Sequence, residues 1–208
     1  MLTNLWFITK NVLCLFSASI TSAYMVCLVC NNSFYNPKLS KRELINNLID
    51  SSINLSVIGI EVIISAFFYY PYMNLEKHSF FLAIFNIIEY SVLIELFYYI
   101  YHRFLHNSGW YLFVHAKHHS NIDIYPLDTL DIGILDSTGM ILTLIAPLLF
   151  VKVNLIEYNF IIYVYLTGAF LTHSKFLIRR HVAHHEKFKC NFCFLFPIFD
   201  YICGTIEK

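Results

Sequence analysis

Residues 79–106 read SFFLAIFNIIEYSVLIELFYYIYHRFLH, an apolar run that passes without a break into His102-x-x-x-His106. Its apolar part, 79–101, carries only Glu89 and Glu95. As a helix rising about 1.5 Å per residue it reaches across the roughly 30 Å hydrocarbon core of a bilayer. Two histidines one turn apart then stand at a membrane surface. Working outward, residues 11–30 (NVLCLFSASITSAYMVCLVC) hold no charge and predict a second span. A signal peptide is the competing reading, disfavoured by the length of the run and the lack of a small-x-small cleavage site. Residues 52–70 predict another span, with Glu61 inside it and Pro71 ending it. Upstream, Ser40-Lys41-Arg42-Glu43 reads as a capping box opening that helix. Two shorter stretches, 139–151 and 155–172, are divided by Lys152 and Asn154 and predict a membrane hairpin over 139–172.

Composition agrees. The chain is 58% hydrophobic and 13% charged, with a mean hydropathy of +0.59. A soluble domain of 208 residues leaves too much surface outside to hide that much apolar area, so lipid is the solvent. The formal net charge is zero, and no global field argues for nucleic acid. Without repeats or linker-like segments, 1–208 reads as a single all-α, multi-pass membrane bundle. The segments 102–138 and 173–208 are expected to form a cap, which the histidines described below would make metal-binding. If the third span ends at the first histidines and the hairpin returns to the same side, every motif histidine faces one side of the membrane. Basic residues follow them: Lys38, Lys41, Arg42, Arg103, Lys117, Lys175, Arg179, Arg180, Lys187, Lys189 and Lys208 fall on that side. Only Lys10, Lys77 and Lys152 fall on the other, so the positive-inside rule makes the histidine face cytoplasmic.

Six cysteines invite a zinc reading, but Cys190-x-x-Cys193 is half a site, and free thiols are the simpler account. The histidines are different. Nine of ten fall between 102 and 185, as His102-x-x-x-His106, His115-x-x-His118-His119, a lone His173, and His181-x-x-His184-His185. Positions i, i+3 and i+4 share a helix face, so each H-x-x-H-H is expected to aim three imidazoles into one volume. Chance would produce one H-x-x-H-H in roughly one such chain in fifty, and this chain holds two. So many imidazoles suit two transition-metal ions better than one. His78, standing apart, is expected to serve only in hydrogen bonding. Glu61 and Glu89 read as packing or polar-cavity residues.

The order H-x-x-x-H, H-x-x-H-H, His, H-x-x-H-H resembles the fatty acid hydroxylase and sterol desaturase superfamily. The flanks are similar too. Glu95-x-x-x-Tyr99-x-x-His102-Arg103 resembles its first box, and Trp110-Tyr111 leads into its second. Asn191-Phe192 and Phe199-Asp200-Tyr201-x-x-Gly204-Thr205 resemble its closing signature, with Cys193 in place of the usual Gly and Phe199 in place of the usual Trp. The resemblance implies a di-iron site with O2 as co-substrate, zinc being able to replace iron in a purified sample. It also implies a sterol or fatty acyl lipid substrate, a b-type cytochrome with its reductase as electron donor, and, in a eukaryote, the endoplasmic reticulum membrane. All nine boxed histidines are the expected ligands. Glu95, Tyr99, Asn191 and Asp200 are expected around them, Glu95 as acceptor of a ligating histidine's second N–H or as a carboxyl that ties two helices together, and Asp200 as such an acceptor or a helix cap. The rival readings are a membrane zinc hydrolase and a metal-binding membrane protein without oxidase activity.

Overall fold

A computed structural model describes residues 4–74, 76–174 and 179–207. Lys175 and Lys208, two of the basic residues counted above, and part of the segment between His173 and His181 lie outside them. Eight α-helices are present among the described residues: α1 Leu5–Val29, α2 Lys41–Tyr69, α3 Phe80–Asn107, α4 Tyr111–Val114, α5 Ile134–Ile145, α6 Leu155–Thr172, α7 Arg179–Lys187 and α8 Ile198–Ile202. Four are long and apolar enough to cross a membrane: α1, α2 with the turn that follows it, α3 and α6. Their outward faces carry large apolar side chains such as Trp6, Phe68 and Phe81, the last 82% exposed, as a lipid-facing surface requires.

Local signals set the helix ends. Asn4 caps α1, and Ser40 with Glu43 closes a capping box on α2. The second helix therefore starts eleven residues before its apolar run, because helical hydrogen bonds continue into the polar segment. Helix α3 likewise runs on to Asn107 and carries His102 and His106 in its last two turns. The region read as a hairpin divides unevenly. Its first limb is the short α5, stopped by a turn at Ala146–Leu149 containing Pro147. Its second limb, α6, is capped by Asn154 and Glu157 and is span-length.

Side-chain bonds fix which ends lie together. Asn11 of α1 meets Asn159 of α6 and donates to the Tyr70 hydroxyl at 2.8 Å, so the starts of α1 and α6 adjoin the end of α2. Asn86 near the start of α3 donates to the Lys152 carbonyl at 3.3 Å at this same end. At the other end Asn54 donates to the Leu130 carbonyl. Between them lies a core of Ile8, Val12, Tyr90, Ile94, Tyr158, Ile161 and Tyr165. Two of its tyrosine hydroxyls are satisfied by backbone, Tyr90 donating to the Leu144 carbonyl at 2.9 Å and Tyr165 to the Ser91 carbonyl at 3.1 Å. Glu61 joins α2 to α5 by accepting from Ser137 and Thr138 at 2.6 and 2.7 Å, whereas Glu89 is exposed.

Candidate metal centre

The last turns of α3 and α6 reach the same end of the bundle, and α7 with the 111–120 segment closes over it. All nine boxed histidines meet there. Ligand nitrogens of His102, His106, His115, His119 and His184 lie within 4.8 Å of one another, and those of His118, His173, His181 and His185 do the same. Each H-x-x-H-H is thus divided between two groups rather than aimed into one volume. At about 100° per residue, i and i+4 differ by only about 40°, whereas i+3 and i+4 stand about 100° apart. His115 and His119 accordingly share one group and His118 joins the other. His181 and His185 pair while His184 departs. The second box lies on α7, but the first spans the end of α4 and a 3₁₀ turn at His118–Ser120.

The hydrogen bonds explain which ring nitrogen is available. Nδ1–H of His102 donates to the Phe192 carbonyl (2.9 Å), that of His173 to Ala169 (2.9 Å) and that of His184 to Cys190 (2.7 Å). His118 and His185 donate more loosely to the carbonyls of Asp131 and Asn121. His115 donates to the carboxylate of Asp136 at 2.7 Å. Each acceptor lacks a proton of its own, so Nδ1 carries the hydrogen and Nε2 keeps a bare lone pair. These lone pairs face one another: Nε2 atoms approach to 3.0 Å between His102 and His115 and to 3.4 Å between His118 and His173. His119 Nε2 sits 3.1 Å from both His115 and His184. Lone pairs so opposed repel unless a cation lies between them. Among the described residues, Nε2 of His106 and Nδ1 of His119 are also buried with no hydrogen-bond partner. The donor set fits metal ions.

Electrostatics holds the rings in their ligand form. Burial, reinforced by neighbouring imidazoles, lowers the His115 pKa to about 2 and that of His173 to about 3. His119, His181, His184 and His185 are driven down by the same two causes, and His118 chiefly by burial. Neutral imidazoles are what a metal needs, since a proton competes for the same lone pair.

The four residues expected around the cage are close by, but none touches a histidine ring through a hydrogen bond. Glu95 is fully buried and faces the bundle interior, yet its carboxylate accepts from the backbone N–H groups of Phe194, Leu195 and Phe196 and from the Tyr165 hydroxyl. Of its two expected roles the tie between helices is the one present, Tyr165 of α6 bonding Glu95 of α3 at 3.0 Å, and the same carboxylate clamps the 194–196 segment. Asp200 accepts from the N–H groups of Phe192 and Cys193 and from Thr205, acting as neither cap nor histidine partner. Asn191, with φ 55°, donates to the carbonyls of Arg180 and Glu207. Tyr99 shares a 3.2 Å hydrogen bond with Thr205 and receives one from Arg103 at 2.6 Å. All four shape the loop after α7, and that loop presents the Cys190 and Phe192 carbonyls to His184 and His102. Phe188 turns the chain there at φ 64°, a conformation that costs a side chain about 1 kcal/mol or more, and lays its ring 5.0 Å from His119.

Asp136, which sequence reading missed, is the carboxylate that orients a candidate ligand, His115. The Tyr101 hydroxyl donates to it at 2.9 Å, and Gly139 leaves room for that ring, which any β-carbon there would overlap. The signal was an aspartate at the edge of an apolar run, where a charge is costly unless it is used. Cys190 and Cys193 are buried and form no disulfide.

The fold and this end of it define a class: a multi-pass helical membrane protein with a histidine cage suited to metal. Residues 87–205, more than half of the chain, match the fatty acid hydroxylase family, and the protein belongs to it. No curated protein and no solved structure matches the chain. Family and cage together point to metal binding, typically of iron, and to oxidoreductase activity.

Proposed function

We propose that the protein is an O2-dependent oxidase that holds two iron ions, one in each histidine group, and hydroxylates or desaturates a C–H bond of a membrane lipid. The observation that carries this reading is the division of nine histidines into groups of five and four with ring nitrogens turned toward one another. Catalytic zinc usually takes three protein ligands and an open position, which disfavours the hydrolase alternative. Bound iron supplies the activation of O2 that side chains lack.

The reaction balances as R–H, O2, two electrons and two protons giving R–OH and water. Removal of a second hydrogen instead gives a double bond and two waters. The chain's own part is positioning. Carbonyls of Phe192, Cys190 and Ala169 hold three rings by Nδ1, and Asp136, itself held by Tyr101, keeps the His115 proton on Nδ1 so that Nε2 stays a donor. A partly open cleft bounded by His115, His118, His173 and His181 and by Tyr98, Met140 and Phe194, with Thr129, Asp136 and Thr172 also in its wall, offers a place for a lipid carbon beside the rings. Electrons come from a partner, for which a b-type cytochrome with its reductase is the candidate. Arg103 and Lys189, both exposed, offer it positive charge. The histidine face is assigned to the cytoplasm and, in a eukaryote, the protein to the endoplasmic reticulum.

The test is the full chain in lipid nanodiscs, loaded with ferrous iron and given a reductant, O2 and a total lipid extract. Two irons per chain, O2 uptake and a hydroxylated or newly unsaturated lipid are expected. An iron-loaded, reduced protein that consumes no O2 and alters no lipid would end the oxidase reading.

A further inference from the structure

A second, partly open space lies deeper in the bundle. Counting the open region at its mouth it spans about 540 Å³, and it is walled by α1, α2 with the turn that follows it, α5 and α6. Its lining is aliphatic or aromatic throughout, apart from the hydroxyls of Tyr69, Tyr70 and Tyr158 at the end away from the histidines. Met140 borders both this space and the histidine-lined one. The walls also continue between them. On α5, Asp136, Met140 and Leu144 recur every four residues along one face, and on α6 Ala169, Leu166, Ile162 and Tyr158 recur every three or four. Asp136 and Ala169 bound the upper space, Leu144 and Tyr158 the lower one.

We infer that the two spaces form one binding channel for a straight acyl chain, with Met140 at its neck, the reacting carbon beside the histidines and the methyl end on the tyrosine floor. The inference rests on the oxidase reading above and names its substrate class. A flexible hydrocarbon threads past a single side chain, and methionine, unbranched with three rotatable bonds, gives way to one. A fused sterol skeleton is rigid and would have to straddle the neck. Beyond Met140 the walls offer a polar head group almost nothing, so the head stays on the histidine side. The floor is fixed: Tyr69 packs against Tyr70 and Tyr158 with ring centroids 5.0 and 5.3 Å apart, and the Tyr70 hydroxyl is held by Asn11. From Leu166 to Tyr158 is eight helical residues, about 12 Å. At roughly 1.25 Å per methylene, the projection of a C–C bond of about 1.5 Å, this lodges about ten carbons below the neck.

The experiment is photo-crosslinking of the full, metal-loaded chain in nanodiscs without reductant, so that no turnover is needed. The probe is an 18-carbon fatty acid carrying a diazirine near its methyl end, read by mass spectrometry of labelled peptides. Label is expected in 140–145 and 158–166, suppressed by stearate but not by cholesterol. Met140→Trp is expected to lower it at least tenfold and Met140→Leu to preserve it. Equal competition by cholesterol, or undiminished labelling of a Met140→Trp protein with normal iron content, overturns the channel. Should that variant lose its iron, Ile162→Trp narrows the same channel from α6 and carries the same expectation. Failure of the oxidase reading would appear in O2 uptake and leave this label unchanged.

Discussion

The two ends of the bundle both bury histidine, and they solve the problem in opposite ways. At the end away from the cage, His78 Nδ1 meets Glu157 at 2.8 Å, its Nε2 meets Asn74 at 2.8 Å, and Asn86 lies 3.0 Å from Nδ1. Asn154 donates to the same Glu157 carboxylate, so the imidazole and its partner are complete without any added group. At the cage, the Nδ1 side of six rings is satisfied in the same manner, but the Nε2 sides confront one another. What distinguishes a metal site from a polar latch is thus less the presence of buried histidine than whether its second nitrogen has a complementary partner.

The sharpest way to break this comparison is to remove a ring from each end. His118→Ala deletes a candidate ligand from the group of four, and product formation is expected to fall below detection while the protein still inserts. Unchanged lipid product in an expression host, measured by lipid profiling, would strip that residue of its role. Acid is expected to act next most strongly. His115 and His173 are neutral when folded, with pKa values lowered from 6.5 to about 2 and about 3, whereas the unfolded chain takes up protons below 6.5. Their contribution to metal-free stability is complete above pH 6.5 and is lost as pH falls from there toward the folded values. The pair costs about 3 kcal/mol per pH unit in that window. Denaturation of the metal-stripped protein between pH 7 and pH 5.5 measures it, and a flat profile would show that the rings are not held neutral.

Asp136→Asn keeps the shape beside His115 but weakens the acceptor, and iron affinity is expected to drop about 10- to 100-fold, read by competition with a chelator. The smallest effect belongs to the latch. His78→Phe removes hydrogen bonds from Glu157 and Asn74 and is expected to cost on the order of 1–2 kcal/mol in thermal stability, with iron content unaltered. Loss of iron from that variant would mean the two ends are coupled, which their separate hydrogen-bond networks argue against.

Glu95 shows how far a sequence can be read. Its position two turns before His102 correctly puts it on the inward face, because helical periodicity is local. Its partners are backbone groups about a hundred residues later in the chain, and nothing near Glu95 announces them. Asp136 is the converse case: an unremarked aspartate becomes the partner of a boxed histidine only once α5 lies against His115.

By itself the sequence determined the helical membrane architecture, the polar capping of α2 and the gathering of the nine boxed histidines. Those depend on apolar run length against bilayer thickness and on contacts within a few residues. Only the tertiary structure decided how the histidines divide. His184 joins His102 across 82 positions, and His118 leaves its own box to join His173. Such choices rest on which helix faces pack together and where a returning loop places its carbonyls, and both are set by the chain as a whole.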